Sequence, residues 1–134
     1  MLDSKLIMSD AQAVVTASAD TVSTNVIDTG LANSNIGAGT PLWLVLEAHT
    51  TFTSGGAATL TITLQDSADD ATFATLLQTE AFAVASLTAG ALLLCVPIPA
   101  EHARYLRMNY DVGTADMTAG KLNAYFTTCP PQAR

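Results

Sequence analysis

Apolar and polar residues alternate along this chain in short runs, and no long stretch repeats at the 3.6-residue period of a helix. The clearest run is Ala58 to Gln65. There Leu60, Ile62 and Leu64 fall on one side of a strand, and Thr59, Thr61 and Thr63 on the other. Arg104 to Val112 alternates too, with Leu106, Met108, Tyr110 and Val112 predicted inward. Lys121 to Thr128 places Leu122, Ala124 and Phe126 on one face. Pro41 to Glu47 (PLWLVLE) is apolar on both faces, which predicts a strand buried on both sides or one at an interface. Ala91 to Ile98 reads as a buried strand closed by Pro97 and Pro99. Phe73 to Phe82 fits either a strand or a short helix, and Val22 to Asp28 alternates at Val22, Thr24 and Val26.

Turn signals separate most of these runs: LANSNIGAGTP, Ser54-Gly55-Gly56, Asp66 to Asp70, and Gly113 to Gly120. Roughly seven or eight strands of this kind predict an all-β, antiparallel sandwich, with a jelly roll as the favoured arrangement. The first 20 or so residues show little periodicity; Ser9-Asp10 starts either a helical turn or an extended segment. Residues 1–30 are therefore expected to form an extended N-terminal arm and first strand, and residues 31–134 the single sandwich body.

The chain has 134 residues, enough for one core and too few for two ordinary domains. Charged residues are 13% against 49% apolar, about half the usual charged share. Part of the surface is then either covered by partners or dressed with Thr and Ser. Net charge is −7, with five basic residues, Lys5, Arg104, Arg107, Lys121 and Arg134. Nucleic acid is not an expected partner, because phosphate contacts need more Lys and Arg than this. No membrane span is expected: the most apolar stretch, Gly90 to Ala100, is short and interrupted by Pro97 and Pro99. No signal-peptide core is visible near the start, so synthesis in the cytosol is expected.

Candidate chemistry is sparse. His49 and His102, with Cys95, Cys129 and Glu101, lack the close spacing of zinc ligands and read as loop residues in solvent. Cys95 sits in an apolar run and reads as an inert thiol rather than a nucleophile or half of a bridge to Cys129. Asp66, Asp69 and Asp70 offer oxygens, but without the Gly and distal Glu of a calcium loop they read as a solvated turn. No catalytic residue, metal or cofactor is expected. The remaining candidates are interface residues. Arg107 shares a strand face with Tyr105 and Asn109, and arginine and tyrosine are favoured where proteins meet. The ordinary alternative is pairing of Arg107 with acids on a neighbouring strand. Trp43 and Tyr125 are further anchor candidates, although Trp43 reads first as a core residue.

Several segments together, in this order, resemble the capsid cement proteins of tailed phages, of the type found in a Bordetella short-tailed phage. They are KLIMSDAQAVV, STNVIDTG, DSADDATFATLLQT, PAEHARYLRMNYDVG and TAGKLNAYF. The resemblance spans nearly the whole chain and rests on the order of the segments rather than on one strict motif. It implies a jelly-roll sandwich on the outer surface of the virion head. The partners it implies are the major capsid protein and further copies of the chain, as a homodimer or homotrimer. Other virion accessories (tail or fibre) and carbohydrate-binding sandwiches are the rival readings. The sugar reading is disfavoured by a 6% aromatic content that alternation places mostly inward.

Overall fold

The computed structural model describes residues 6–14, 20–30, 42–99 and 101–128. Cys129 lies outside them. Among the described residues ten strands follow one another: β1 (Ile7–Ala13), β2 (Asp20–Val22), β3 (Ile27–Asp28), β4 (Trp43–Ser54), β5 (Thr59–Ser67), β6 (Ala74–Gln78), β7 (Phe82–Ala83), β8 (Leu92–Pro97), β9 (Tyr105–Gly113) and β10 (Met117–Thr127). A 3-10 turn, Val84–Ser86, follows β7.

The strands form two antiparallel sheets. One, the β4 sheet, has the order β1-β10-β4-β8. The other, the β5 sheet, has the order β2-β9-β5-β6, with β3 also on β9 and β7 also on β5. β2 and β3 take successive parts of β9, and β6 and β7 successive parts of β5. Each couple acts as one broken strand. Eight strand positions result, with order 1-8-3-6 in one sheet and 2-7-4-5 in the other. Every connection but the fourth-to-fifth crosses between sheets, an arrangement consistent with a jelly roll.

The core lies between the sheets. Leu44, Leu46, Ala48, Leu122, Ala124 and Phe126 meet Leu60, Ile62, Leu64, Leu106, Met108, Tyr110 and Val112 in one buried cluster. The alternation in β5, β9 and β10 therefore points as the sequence predicts, because one pleated face meets the core and the other does not.

Other expectations need correction. β8 is a half-buried edge strand, not a buried one. Phe73 to Phe82, which the sequence leaves open between strand and short helix, holds β6 at Ala74–Gln78 and the start of β7 at Phe82, with residues 79–81 between them in no strand. β10 begins at Met117, well inside the predicted turn region Gly113 to Gly120, and only Thr114 to Asp116 connect β9 to β10. Repeated register shifts in Met117–Leu122 hide the period there. In Val22 to Asp28, Val22 and Val26 are exposed while Ser23 and Ile27 are buried. The segment turns between β2 and β3, so no single alternation runs through it.

The described parts of residues 1–30 are strands of the molecule's own sheets, β1 on β10 and β2 and β3 on β9. A polar network fastens them. The Ser9 hydroxyl donates to Gln12 Oε1 at 2.7 Å, so at 2.6 Å it is the Tyr110 hydroxyl that donates to Ser9. Gln12 Oε1 also accepts from the Thr24 N–H, and its Nε2 donates to the Val22 carbonyl. β1 of one sheet is thus tied to β2 and β9 of the other. Burial pushes the Tyr110 phenol well above its ordinary range. Ser9→Ala strands a buried phenol proton and should cost about 1–3 kcal/mol. Tyr110→Phe leaves Ser9 its Gln12 partner and should cost about 1 kcal/mol. Urea unfolding of both variants checks this ordering.

β3 has a second fastening. Arg104 grips Asp28 with two bonds, Nε to Oδ1 at 2.7 Å and Nη2 to Oδ2 at 2.9 Å. The guanidinium and the Gly30 N–H hold the Asp28 carboxyl down to about 2. A carboxyl with a lowered folded value stabilises fully above its ordinary 3.8, and that contribution is lost as pH falls toward about 2. The pair is exposed, so the effect is small and salt-sensitive. Carbon NMR titration should find Asp28 titrating near 2, and Arg104→Ala should move its midpoint up toward 3.8.

Candidate interaction faces

Every interface candidate sits on an outward face, but on two different sheets. Strand parity decides which. In β9 the even positions enter the core, so Tyr105, Arg107, Asn109 and Asp111 point out from the β5 sheet. In β4 and β10, Trp43 and Tyr125 point out from the β4 sheet. The structure therefore brings together Tyr105, Arg107 and Asn109, and separately Trp43 and Tyr125, on opposite sides of the sandwich.

The β5 face is polar and largely self-engaged. Facing residues on β5 are Thr59, Thr61, Thr63 and Gln65. Arg107 Nε donates to Gln65 Oε1 at 2.8 Å, and its guanidinium lies 3.8 Å from the Phe73 ring centroid. It thus pairs with the neighbouring strand, through an amide rather than an acid. Arg104 lies 5.0 Å from the Tyr105 ring centroid. Asn109 is nearly buried and donates to Asp20 at 3.4 Å. Asp20 stands directly across from Asp111, and desolvation together with that facing carboxylate raises the Asp111 carboxyl.

The β4 face differs. Register aligns Ile7, Tyr125, Val45 and Cys95 in one row across four strands. The next row is Thr127, Trp43 and Pro97. None of the seven carries a charge. Val45 is fully buried although it lies outside the central cluster, so this face has a packed apolar strip of its own. Trp43 belongs to that strip, half-buried, and is not a core residue as its sequence first reads. Burial, then Glu47 and Cys95, raises the Tyr125 phenol. Beyond the strip, Asn123 lies between Glu47 and His49, each at 3.4 Å, and its Oδ1 accepts the Ala11 N–H at 2.7 Å.

The sequence reading missed Ile7, Val45, Cys95 and Pro97 as members of this strip. The signal was present in PLWLVLE, apolar on both sides of a strand. It also placed most aromatics inward, whereas only Phe52, Tyr110 and Phe126 are buried; the other five are partly exposed. His102 is likewise buried rather than solvated, with Nδ1 2.7 Å from the Ala103 carbonyl. Asp69 does read correctly as a turn residue: its Oδ1 accepts from Ser67 Oγ and from the Ala71 and Thr72 N–H groups, which lowers its carboxyl. Among the described residues no three His, Cys, Asp or Glu side chains converge as metal ligands. Cys95 is a free thiol.

These features define the class: an antiparallel β-sandwich whose polar outer face is satisfied by its own neighbours and whose other outer face carries an uncharged aromatic strip. The chain belongs to the Bbp16 family, whose model matches residues 8–126. Curated proteins gave no match.

Proposed function

We propose that this protein is a capsid cement protein of a tailed phage, seated on the outer surface of the head and joining neighbouring major capsid subunits. The observation that carries this reading is the uncharged strip of partly exposed Ile7, Tyr125, Cys95, Trp43 and Pro97, packed around the buried Val45 on the outer face of the β4 sheet. Contiguous apolar surface of this kind marks a partner site. The family match over residues 8–126 and the sequence resemblance to cement proteins support a phage structural role.

The physics of cementing is simple. A protein that binds only the assembled shell shifts the equilibrium toward that shell. Each copy adds a modest contact, and many copies act together. The test is co-sedimentation of purified protein with expanded heads that lack it, followed by heating of the pelleted shells. Saturable binding, on the order of hundreds of copies per head, with a raised disruption temperature is the expected result. No binding to expanded heads would overturn the reading and move it to a tail or sugar-binding accessory.

A further inference from the structure

The β4 sheet ends in β8, and among the described residues no strand pairs with its far side. The direction of its peptide groups follows from one hydrogen bond and alternation. Ile98 N–H donates to the Leu42 carbonyl at 2.9 Å. Val96 and Leu94, opposite Leu44 and Leu46, therefore also face β4. The Cys95 N–H and C=O, with the carbonyls of Leu93 and Pro97, point the other way. Pro97 explains itself on this count, since its missing N–H falls where β4 needs none.

Exposed edges are ordinarily blunted by lysine, other charges, proline or bulges. Here the chain carries no charged residue between Glu80 and Glu101. Proline blocks only the strand's last position, and the bulge at its start leaves Leu94 and Cys95 regular. Leu92, Leu93, Leu94, Cys95 and Val96 are all partly exposed. A strand of this composition is a template for another strand.

We propose that the β8 edge pairs with β8 of a second copy, antiparallel, about a two-fold axis at Cys95, joining two β4 sheets into one. Charge selects this edge: a molecule of net charge −7 repels its copy, least where acids are absent. A two-fold contact must be self-complementary. Cys95 meets that condition, presenting one donor and one acceptor outward to the same groups of its copy. A two-fold in an antiparallel sheet stands perpendicular to it, so both outer faces lie on one side. The row Ile7, Tyr125, Val45, Cys95 then continues into the second molecule, and the apolar strip is doubled.

The pairing needs no shell, so its test is separate from the cement reading. Sedimentation velocity of the purified full chain across micromolar concentrations should find a dimer. Cys95→Ala removes the thiol, keeps the N–H, and should leave the dimer intact. Cys95→Pro removes the outward N–H without touching the ladder to β4, and should raise the dimer dissociation constant at least tenfold while circular dichroism and melting stay native. If Cys95→Pro does not fold, Cys95→Lys decides, since two lysines meeting at the axis should give the same loss. A monomeric wild type, a trimer, a dimer indifferent to both Cys95→Pro and Cys95→Lys, or one lost with Cys95→Ala would overturn the proposal. A monomer whose β8 amides gain protection only on heads would assign the edge to a shell strand instead, and would overturn it equally.

Discussion

Gly120→Ala should destabilise this protein more than any other single-methyl addition. Gly120 lies within β10 with φ +142°, a conformation that side-chain-bearing residues rarely adopt. A Cβ there would also collide with the ring of Phe52, which is itself in the core and 3% exposed. The ring cannot swing out without opening the cluster it belongs to. Overpacking costs about 1–3 kcal/mol and a forced backbone about 1–3 more. The sum, about 2–6 kcal/mol, is a large share of the roughly 5–15 kcal/mol that holds a domain together. The Gly120 carbonyl also accepts the Val14 N–H at 3.1 Å, so the end of β1 should loosen with it. Thermal melting and hydrogen exchange at Val14 check both expectations. Gly55→Ala, where a Cβ meets nothing within 4 Å, is the matched control and should be near neutral. Equal melting of the two variants would mean that the register shifts around Gly120 relax freely.

Trp43→Ala and Tyr125→Ala should each weaken binding to expanded heads roughly 30-fold, the effect of losing about 2 kcal/mol at an aromatic hot spot. Both rings stand on the apolar strip and have no role in the central cluster, so the fold should survive the change. Arg107→Ala should matter much less for binding. Its guanidinium already serves Gln65 and Phe73 within the molecule, and what it loses is mainly local packing. The comparison also identifies the binding face. Should Arg107→Ala abolish binding while Trp43→Ala leaves it unchanged, the polar β5 face is the one that touches the shell.

Much of this was legible from residues alone. Thr59 to Ser67 and Tyr105 to Gly113 alternate cleanly because each strand has one face in the core, so a period of two survives in the sequence. The segments that defeated the pattern are those with register shifts or turns. Met117 to Leu122 slips against β4 three times, and Ser23 to Asn25 turns so that Ser23 bonds both ways with Met108. Local propensity cannot signal such places, since the bulge is fixed by a strand far away in the chain. Arg107 shows the same limit at the candidate site. Its face was predictable from parity, but its partners Gln65 and Phe73 lie about 40 and 30 residues away, and only the folded sheet brings them under it.

The sequence by itself determined the all-β class, the inward side of the central strands, the acidic surface and the absence of any close-spaced ligand motif. Those properties depend on neighbours in the chain, where alternation and composition act directly. Only the tertiary structure decided that Trp43 and Tyr125 share one outer face while Tyr105, Arg107 and Asn109 share the other. It also decided that β8 ends a sheet and that the N-terminal strands complete both sheets. A run such as LVLEA or LLLCV reads the same whether its second face meets a core, a partner or water. The pairing order of strands distant in sequence settles which, because hydrogen-bond register couples residues that no local pattern connects.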